Sequence, residues 1–425
     1  MEAFAQLCEA VSGTTRKTVK VGLVSDYFQQ HPVEESSLAA LFLSGKAFPA
    51  YTEATLQVGG SLIWQALEKL TKRSAGAMTT AYRRYGDLGS AAADLLALDP
   101  HVDLPVVTLA QVEEAFLQLA NARGHASRLA IIEQLLQRAT PVEAKYLIKI
   151  MIGDLRIGLR ESLVEDAIAA AYAQDPASVR RANMLLGDIG QTLRLASEHR
   201  LRDARMRLFH PIAMMLASPV ETTEEAIAYF DKALVEDKYD GIRAQAHIGL
   251  TDQQPRIFSR TLDDVTSSFP EIAHALRRVP GPCVLDGEIV AWQDGRALPF
   301  SDLQQRLGRK APAPELMRRV AAAYIAFDVL FTREDFLIDH PLEVRRKILD
   351  DLFARLQPET PYDPEKKSQP QQQLFSLATS RVPAICATII ASPIRPAFTA
   401  AELDLFFAEA QMRGNEGLMV KDVTS

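Results

Sequence analysis

Through residues 1 to about 205, apolar positions recur at spacings of three and four, the period of a helix with one face in a core. The stretch TLAQVEEAFLQLANARG opens with Thr108 and Gln111 at capping-box spacing. It sets Val112, Phe116 and Leu119 on one stripe and offers Gly124 to close the helix. TPVEAKYLIKIMIG repeats the scheme, with Thr140 as N-cap, Pro141 in the first turn and Glu143 reaching back. DPASVRRANMLLG does so with Asp175 and Pro176. The pattern predicts an all-α first half.

Gly86-Asp87-Leu88, Gly153-Asp154-Leu155 and Gly187-Asp188-Ile189 each fall where one helical pattern stops and another could start. Glycine suits a left-handed C-cap and aspartate the next N-cap. Such junctions can turn helix N-termini outward, where free amides hold phosphates. Ordinary helix–helix turns use the same residues, and that plainer reading is favoured.

The texture changes after LRDARMRLFHPIAMMLASPVE. Arg202, Arg205 and Arg207 cluster there, and Pro211 and Pro219 then break helix continuation. Residues 206–220 read as a linker between a helical domain at 1–205 and a second domain at 221–425. The second domain alternates strand-like pieces (RAQAHIGL, PRIFSR, CVLDGEIVAW, AAAYIAFDVLF, GLMVKD) with helical stretches such as TEEAIAYFDKAL and PLEVRRKILDDLFARL. That mixture predicts an α+β fold. LQPETPYDPEKKSQPQQQ reads as an exposed loop.

At 425 residues the chain has room for two or three domains, and its net charge of -7 argues against a wholly basic nucleic-acid coat. A local basic face stays open, because only local charge meets phosphate. The three cysteines, Cys8, Cys283 and Cys386, lie far apart with no CxxC spacing, which argues for a reducing compartment and against a zinc cluster. No secretory signal opens the chain, and its longest apolar run, VAAAYIAFDVLF, is short and carries Asp328.

The candidate chemistry centres on LVEDKYDGIR, residues 234–243. A Lys-x-Asp-Gly tetrapeptide arises by chance in roughly one such chain in twenty, and most lysines are solvated surface residues. The company downstream changes the weighing. Lys238 to Arg243 resembles motif I of the covalent nucleotidyltransferases, the superfamily of DNA ligases, RNA ligases and capping enzymes. Phe258–Arg260 (FSR) resembles motif Ia, Val284–Trp292 motif III, Tyr324–Phe331 motif IIIa and Glu416–Asp422 motif IV, all in the family's order. GDLGSAAADLL and EAKYLIKIMIGDLRIGL resemble the N-terminal DNA-binding domain of ATP-dependent DNA ligases of the archaeal and eukaryotic replicative type, which some bacteria also carry.

The resemblance implies a multidomain protein: an all-α DNA-binding domain, then an α+β nucleotidyltransferase domain with antiparallel sheets. It implies ATP and Mg2+ as cofactors and nicked duplex DNA as partner. Lys238 would be the nucleophile on the α-phosphorus, once nearby cations lower the cost of losing its proton. Glu236 would read the adenine amino group and Phe327 would stack on the base. Arg243 and Arg260 would contact the nucleotide, and Lys421 would lie near the phosphates. Glu288 would contact ribose or metal, with Glu416 the stronger magnesium candidate. Asp286 and Glu288, two apart on a strand, would share a face. Arg306, Arg309 and Lys310 could form a DNA-facing patch, but a solvated helix face is the favoured reading.

The chain ends at Ser425, and the family continues with motif V and an OB-fold domain. The expectation is a fragment of a longer protein, with impaired self-adenylation and no efficient nick sealing on its own. The competing readings are an RNA ligase or capping-type nucleotidyltransferase, and a catalytically impaired DNA-binding fragment. An NAD-dependent ligase is disfavoured by the missing cysteine cluster. The expected location is cytoplasmic, with the nucleoid in a prokaryote. No membrane partner is expected, and sliding-clamp or repair-protein partners cannot be derived from these residues.

Overall fold

The computed structural model describes residues 1–425 except 50, 53, 99–106, 231, 251, 310, 334, 359–361 and 364–384, and the side chain of 75. Lys310 and most of the segment read as an exposed loop at 356–373 therefore lie outside the described residues. The chain forms two compact units, Met1–Ile212 and Ala213–Ser425. The division falls within 206–220, which carries neither helix nor strand. Among the described residues no helix is long and apolar enough to cross a membrane.

The first unit is helical, and its caps are made by the residues the pattern singled out. Thr108 Oγ1 accepts from Gln111 N at 3.2 Å while Gln111 Oε1 accepts from Thr108 N at 3.1 Å. Thr140 and Glu143 form the same reciprocal pair at the start of helix Pro141–Met151. Each box satisfies two amides that a helix end leaves orphaned. Phe4, Phe42 and Phe116, all fully buried, meet edge to face at 6.2 and 5.7 Å. Gly124 does not close the helix before it. Helix Leu109–Asn121 ends on Ala122 in extended backbone, and Gly124, at φ 87°, leads into His125–Gln137.

Two of the Gly-Asp junctions are turns of the expected kind. Gly86 and Gly187 cap in the left-handed region at φ 61°, and Asp87 and Asp188 accept from the amides of the next helix. Those amides are spent within the chain, so the phosphate reading gains no support there. The third junction differs. Asp154 starts no helix, the next one beginning at Glu161; instead Asp154 accepts from Arg156 Nε at 2.6 Å. Arg156 also donates to the Gly86 carbonyl at 3.0 Å, and buried Lys149 pairs with Asp87 at 2.8 Å, tying this loop and helix to the first junction.

Among its described residues the second unit holds ten strands: β1 (Ala233–Lys238), β2 (Ile242–Ile248), β3 (Arg256–Ser259), β4 (Cys283–Gln293), β5 (Arg296–Ala297), β6 (Ala322–Thr332), β7 (Asp335–Phe336), β8 (Thr388–Ala391), β9 (Ile394–Ala397) and β10 (Gly417–Asp422). The larger sheet runs β3-β2-β4-β6-β7, with β5 on β4 and β8 on β6; the smaller is β10-β1-β9. All pairs are antiparallel except β6 with β8. That exception follows from the connection: the chain leaves β6, forms helix Leu342–Ala354 and returns, a crossover long enough for parallel pairing.

Period two decides what faces where. Ala244, Ala246, Leu285, Ile289, Tyr324 and Ala326 turn one face of the larger sheet onto Phe269, Ile272, Leu276 and Leu349. The alternate positions, Arg243, Gln245, Asp286, Glu288 and Phe327, share the other face. In the smaller sheet Val235, Leu418 and Val420 pack with Leu403 and Phe406, so Glu236 and Lys238 take the opposite side.

Two readings of the second unit need correction. TEEAIAYFDKAL is helical only over Thr223–Ala228, and Ala233 already belongs to β1. Ala233 and Val235 are buried two apart, and strand pairing on both sides overrides the helical pattern. Arg306 is neither a DNA-facing nor a solvated residue. It is fully buried, donating to Glu271 Oε1 at 2.5 Å and to the carbonyls of Val320 and Ser268 at 3.2 and 2.9 Å, with its guanidinium 4.9 Å from the Phe269 ring centre. It lies three residues after buried Leu303, on the face of that segment that packs inward.

Removing one partner of a buried ion pair strands the other charge. Arg306→Ala should therefore destabilise the second unit by about 3–5 kcal/mol, and Arg309→Ala, on the exposed side, by less than about 0.5 kcal/mol. Urea unfolding followed through Trp292 fluorescence in a Trp64→Phe background checks this. Equal small effects would contradict the buried pairing.

Candidate active site

Lys238 is the last residue of β1 and lies opposite Gly417 in the β1–β10 register. Glu416, one residue before β10, donates its backbone N–H to the Lys238 carbonyl at 2.9 Å. The same placement brings the two side chains together: the Lys238 ammonium is ion-paired with the Glu416 carboxylate, each side chain about half exposed. On the opposite face of β1, Asp237 accepts from Arg413 Nε and Nη2 at 2.7 and 2.8 Å and from Asn415 Nδ2 at 2.7 Å. The strand that carries the lysine is thus held from behind.

The glycine of the Lys-x-Asp-Gly stretch has a steric reason. A Cβ on Gly241 would sit 2.3 Å from the Ile289 carbonyl oxygen and 2.9 Å from Glu288 Cγ. Only glycine lets this turn approach β4 so closely. Gly287, between the two acids of β4, is equally confined by the Ile325 carbonyl and the Tyr324 ring, at 2.5 and 2.7 Å from a would-be Cβ.

Two residues back along β1, on the same face as Lys238, Glu236 is 3% exposed and accepts from Lys421 Nζ at 2.9 Å. Lys421 Nζ also lies 4.9 Å from the ring centre of Phe327, on the larger sheet. The polar faces of the two sheets therefore meet here. Burial pushes the Glu236 carboxyl above its ordinary range, and the charge and hydrogen bond of Lys421 oppose that rise.

On the larger sheet Arg243 grips Asp286 with two bonds, Nε to Oδ1 at 3.2 Å and Nη2 to Oδ2 at 2.8 Å. Its Nη1 donates to the Met215 carbonyl, and its guanidinium lies 5.5 Å from the Phe327 ring centre. Three of its five N–H donors are thus engaged within the protein. Glu288 is pushed up to about 8 by burial, which Asp286 and Asp240 reinforce and Arg243 and Lys238 oppose.

The expected residues do not all converge. Lys238, Glu416, Glu288, Glu236, Phe327 and Arg243 gather between the facing sheets. Arg260 stands apart on the exposed turn after β3, one position past the Ala244–Ser259 pair. Lys421 was expected beside the phosphates but is engaged with Glu236 and Phe327. Its position is four residues along β10 from the residue opposite Lys238, roughly 13 Å at ~3.3 Å per residue. Asp286 shares a face with Glu288 as expected, but its carboxylate is committed to Arg243. That clamp went unread, as did Met419, which lies directly opposite Glu236; strand alternation in GLMVKD was the signal for Met419.

Among the described residues no group of three or more His, Cys, Asp or Glu side chains could hold a metal. Two carboxylates, Glu416 and Glu288, face the lysine. That donor set fits magnesium, which commonly takes one or two carboxylates and completes its shell with water and substrate phosphates.

Residues 214–425 match the family model of the ATP dependent DNA ligase domain, and residues 1–169 match that of the DNA ligase N terminus. A probable DNA ligase of Koribacter versatilis is 48% identical over 427 residues, an alignment covering 100% of this chain and 72% of that protein. The chain belongs to the ATP-dependent DNA ligase family. A DNA ligase of Archaeoglobus fulgidus is 32% identical, over 82% of this chain and 64% of its own length. A probable DNA ligase of Opitutus terrae is 33% identical over 99% of this chain, which spans 48% of that protein. The solved structure Pmar-Lig_PreS3 shares the fold, with a TM-score of 0.54 at 15% identity over 99% of this chain and 74% of that one. The N-terminal match and the relatives' names set aside the RNA ligase and capping-enzyme readings.

A carboxyl raised to about 8 in the folded protein and ordinary in the unfolded chain has a fixed sign. Between about pH 4.5 and about pH 8 the folded state holds a proton that the unfolded chain has released, so stability falls as pH rises. In the nucleotide-free protein, the melting temperature of wild type should fall relative to that of Glu288→Gln across this window. Parallel pH profiles would contradict the burial of Glu288.

Proposed function

We propose that this chain carries the nucleotide-transfer centre of a ligase that seals nicks in duplex DNA. The observation that supports the reading best is the β1–β10 register, which sets Glu416 against Lys238 and places Glu236 two residues back on the same face. In the first step the neutral Lys238 amine attacks the α-phosphorus of ATP. A P–N bond forms, the bond to pyrophosphate breaks, and the amine's proton is released. In the second, an oxygen of the 5′-phosphate at the nick attacks the same phosphorus, and the lysine leaves and takes up a proton. In the third, the 3′-hydroxyl oxygen attacks the 5′-phosphorus, a P–O bond to the 3′ oxygen forms as the bond to AMP breaks, and the hydroxyl's proton is released.

An ammonium paired with a carboxylate is not a nucleophile until its proton leaves. A bound Mg2+, held by Glu416 and Glu288 with phosphate oxygens, would neutralise the charge on the phosphates. Glu236 accepts from the adenine amino group, Phe327 packs on the base, and Arg243 contributes its remaining donors to ribose and phosphate. Glu288 is near enough to Lys238 to feel its charge, which suits either a ribose contact or a share in the metal. Residues 1–212 hold the duplex through phosphates and groove shape, so binding is sequence-tolerant and weakens with salt.

The test is incubation with ATP labelled at the α-phosphate in the presence of Mg2+. The chain should acquire label slowly, lose it when pyrophosphate is added, and acquire none as Lys238→Ala. Label retained by the variant, or absent from both proteins, would overturn the reading.

A further inference from the structure

Glu236 and Lys421 form a nearly buried pair whose partners come from different strands. In the register Leu234 faces Lys421 and Glu236 faces Met419, so the pair is a diagonal one on a single face of the small sheet. Glu236 is 3% exposed and the Lys421 side chain 19%. The ammonium is held on two sides, by the Glu236 carboxylate at 2.9 Å and by the Phe327 ring at 4.9 Å. Arg346 also contributes charge near Glu236, but its own donors go to Asp350 at 2.7 and 3.1 Å and to the Ser392 carbonyl at 2.6 Å. Lys421 is thus the cation hydrogen-bonded to Glu236 among the described residues.

We infer that Lys421 is a base-selection residue: by keeping Glu236 an acceptor in a fixed orientation, it lets the site take a 6-amino purine and reject a 6-oxo purine. The inference rests on the reading of Glu236 as the group that meets the purine's 6-position. A carboxylate only accepts hydrogen bonds, so it matches an amino group and repels a carbonyl oxygen. A carboxyl that gains a proton can donate and would suit the carbonyl as well. Burial without a counter-ion drives a carboxyl toward that protonated form. The lysine therefore acts through Glu236 as a positioning residue, with no contact to the reacting phosphorus required of it.

Calorimetric titration with ATP and with ITP, which differs from ATP at the 6-position, tests this. A Lys238→Ala background excludes covalent transfer from the measurement. The parent should favour ATP. Adding Lys421→Met should narrow the ATP:ITP affinity ratio by about tenfold or more, and Lys421→Arg should keep it within about threefold. Glu236→Gln, which can donate as well as accept, should narrow the ratio with Lys421 intact, and it gives an independent arm if Lys421→Met fails to fold. Equal weakening of both nucleotides by Lys421→Met, with the ratio unchanged, overturns the inference, as does a parent protein with no preference. A protein that prefers ATP through Lys421 but never labels at Lys238 would defeat the proposed transfer and leave base selection standing.

Discussion

The antiparallel register between β1 and β10 is the constraint on which the site depends. Set as it is, with Lys238 opposite Gly417, it brings Glu416 to the lysine at one end and Lys421 to Glu236 at the other. A slip of one residue would turn the β10 side chains to the opposite face and break both pairs at once. The register is specified by burial on the far side. Val235, Leu418 and Val420 must face Leu403 and Phe406, and Asp237 must meet Arg413 and Asn415. Packing on one face thus fixes the chemistry on the other.

The larger sheet works by the same division. Its apolar face forms the main core of the unit, and its other face carries an Arg–Asp clamp, a largely buried glutamate and an aromatic ring. Close approach is what makes the arrangement dense enough to shift a carboxyl to about 8, and Gly241 and Gly287 permit that approach. Ion pairs in this unit sit in contrasting settings. Arg306 and Glu271 are sealed away from solvent, while Lys238 and Glu416 are each about half exposed, which suits the proton exchange and nucleotide contact proposed for the lysine.

Much of this was legible from period and spacing. The longer strands β4 and β6 announced themselves by apolar runs, and the capped helices by Thr108, Thr140 and Asp175. What was not legible depended on pairings across the chain. The first two residues of β1, Ala233 and Leu234, looked like the end of the helix TEEAIAYFDKAL; their strand character comes from two neighbours distant in sequence. β8 and β9, four residues each, are too short to carry a period. Arg306 looked like a surface cation because its partner Glu271 is 35 residues away. The roles of Asp286 and Lys421 needed the register, since the partners are 43 and 185 residues distant. The resemblance to ligase motifs singled out the candidate residues, and the structure then showed which of them are already engaged with one another.

The most direct measurement is peptide mapping by mass spectrometry after incubation with ATP and Mg2+. The account predicts the mass of one AMP on the peptide containing Lys238, placed on that side chain by fragmentation and found on no other lysine. AMP on a different lysine, Lys421 included, or an unmodified Lys238 after prolonged incubation, would contradict it.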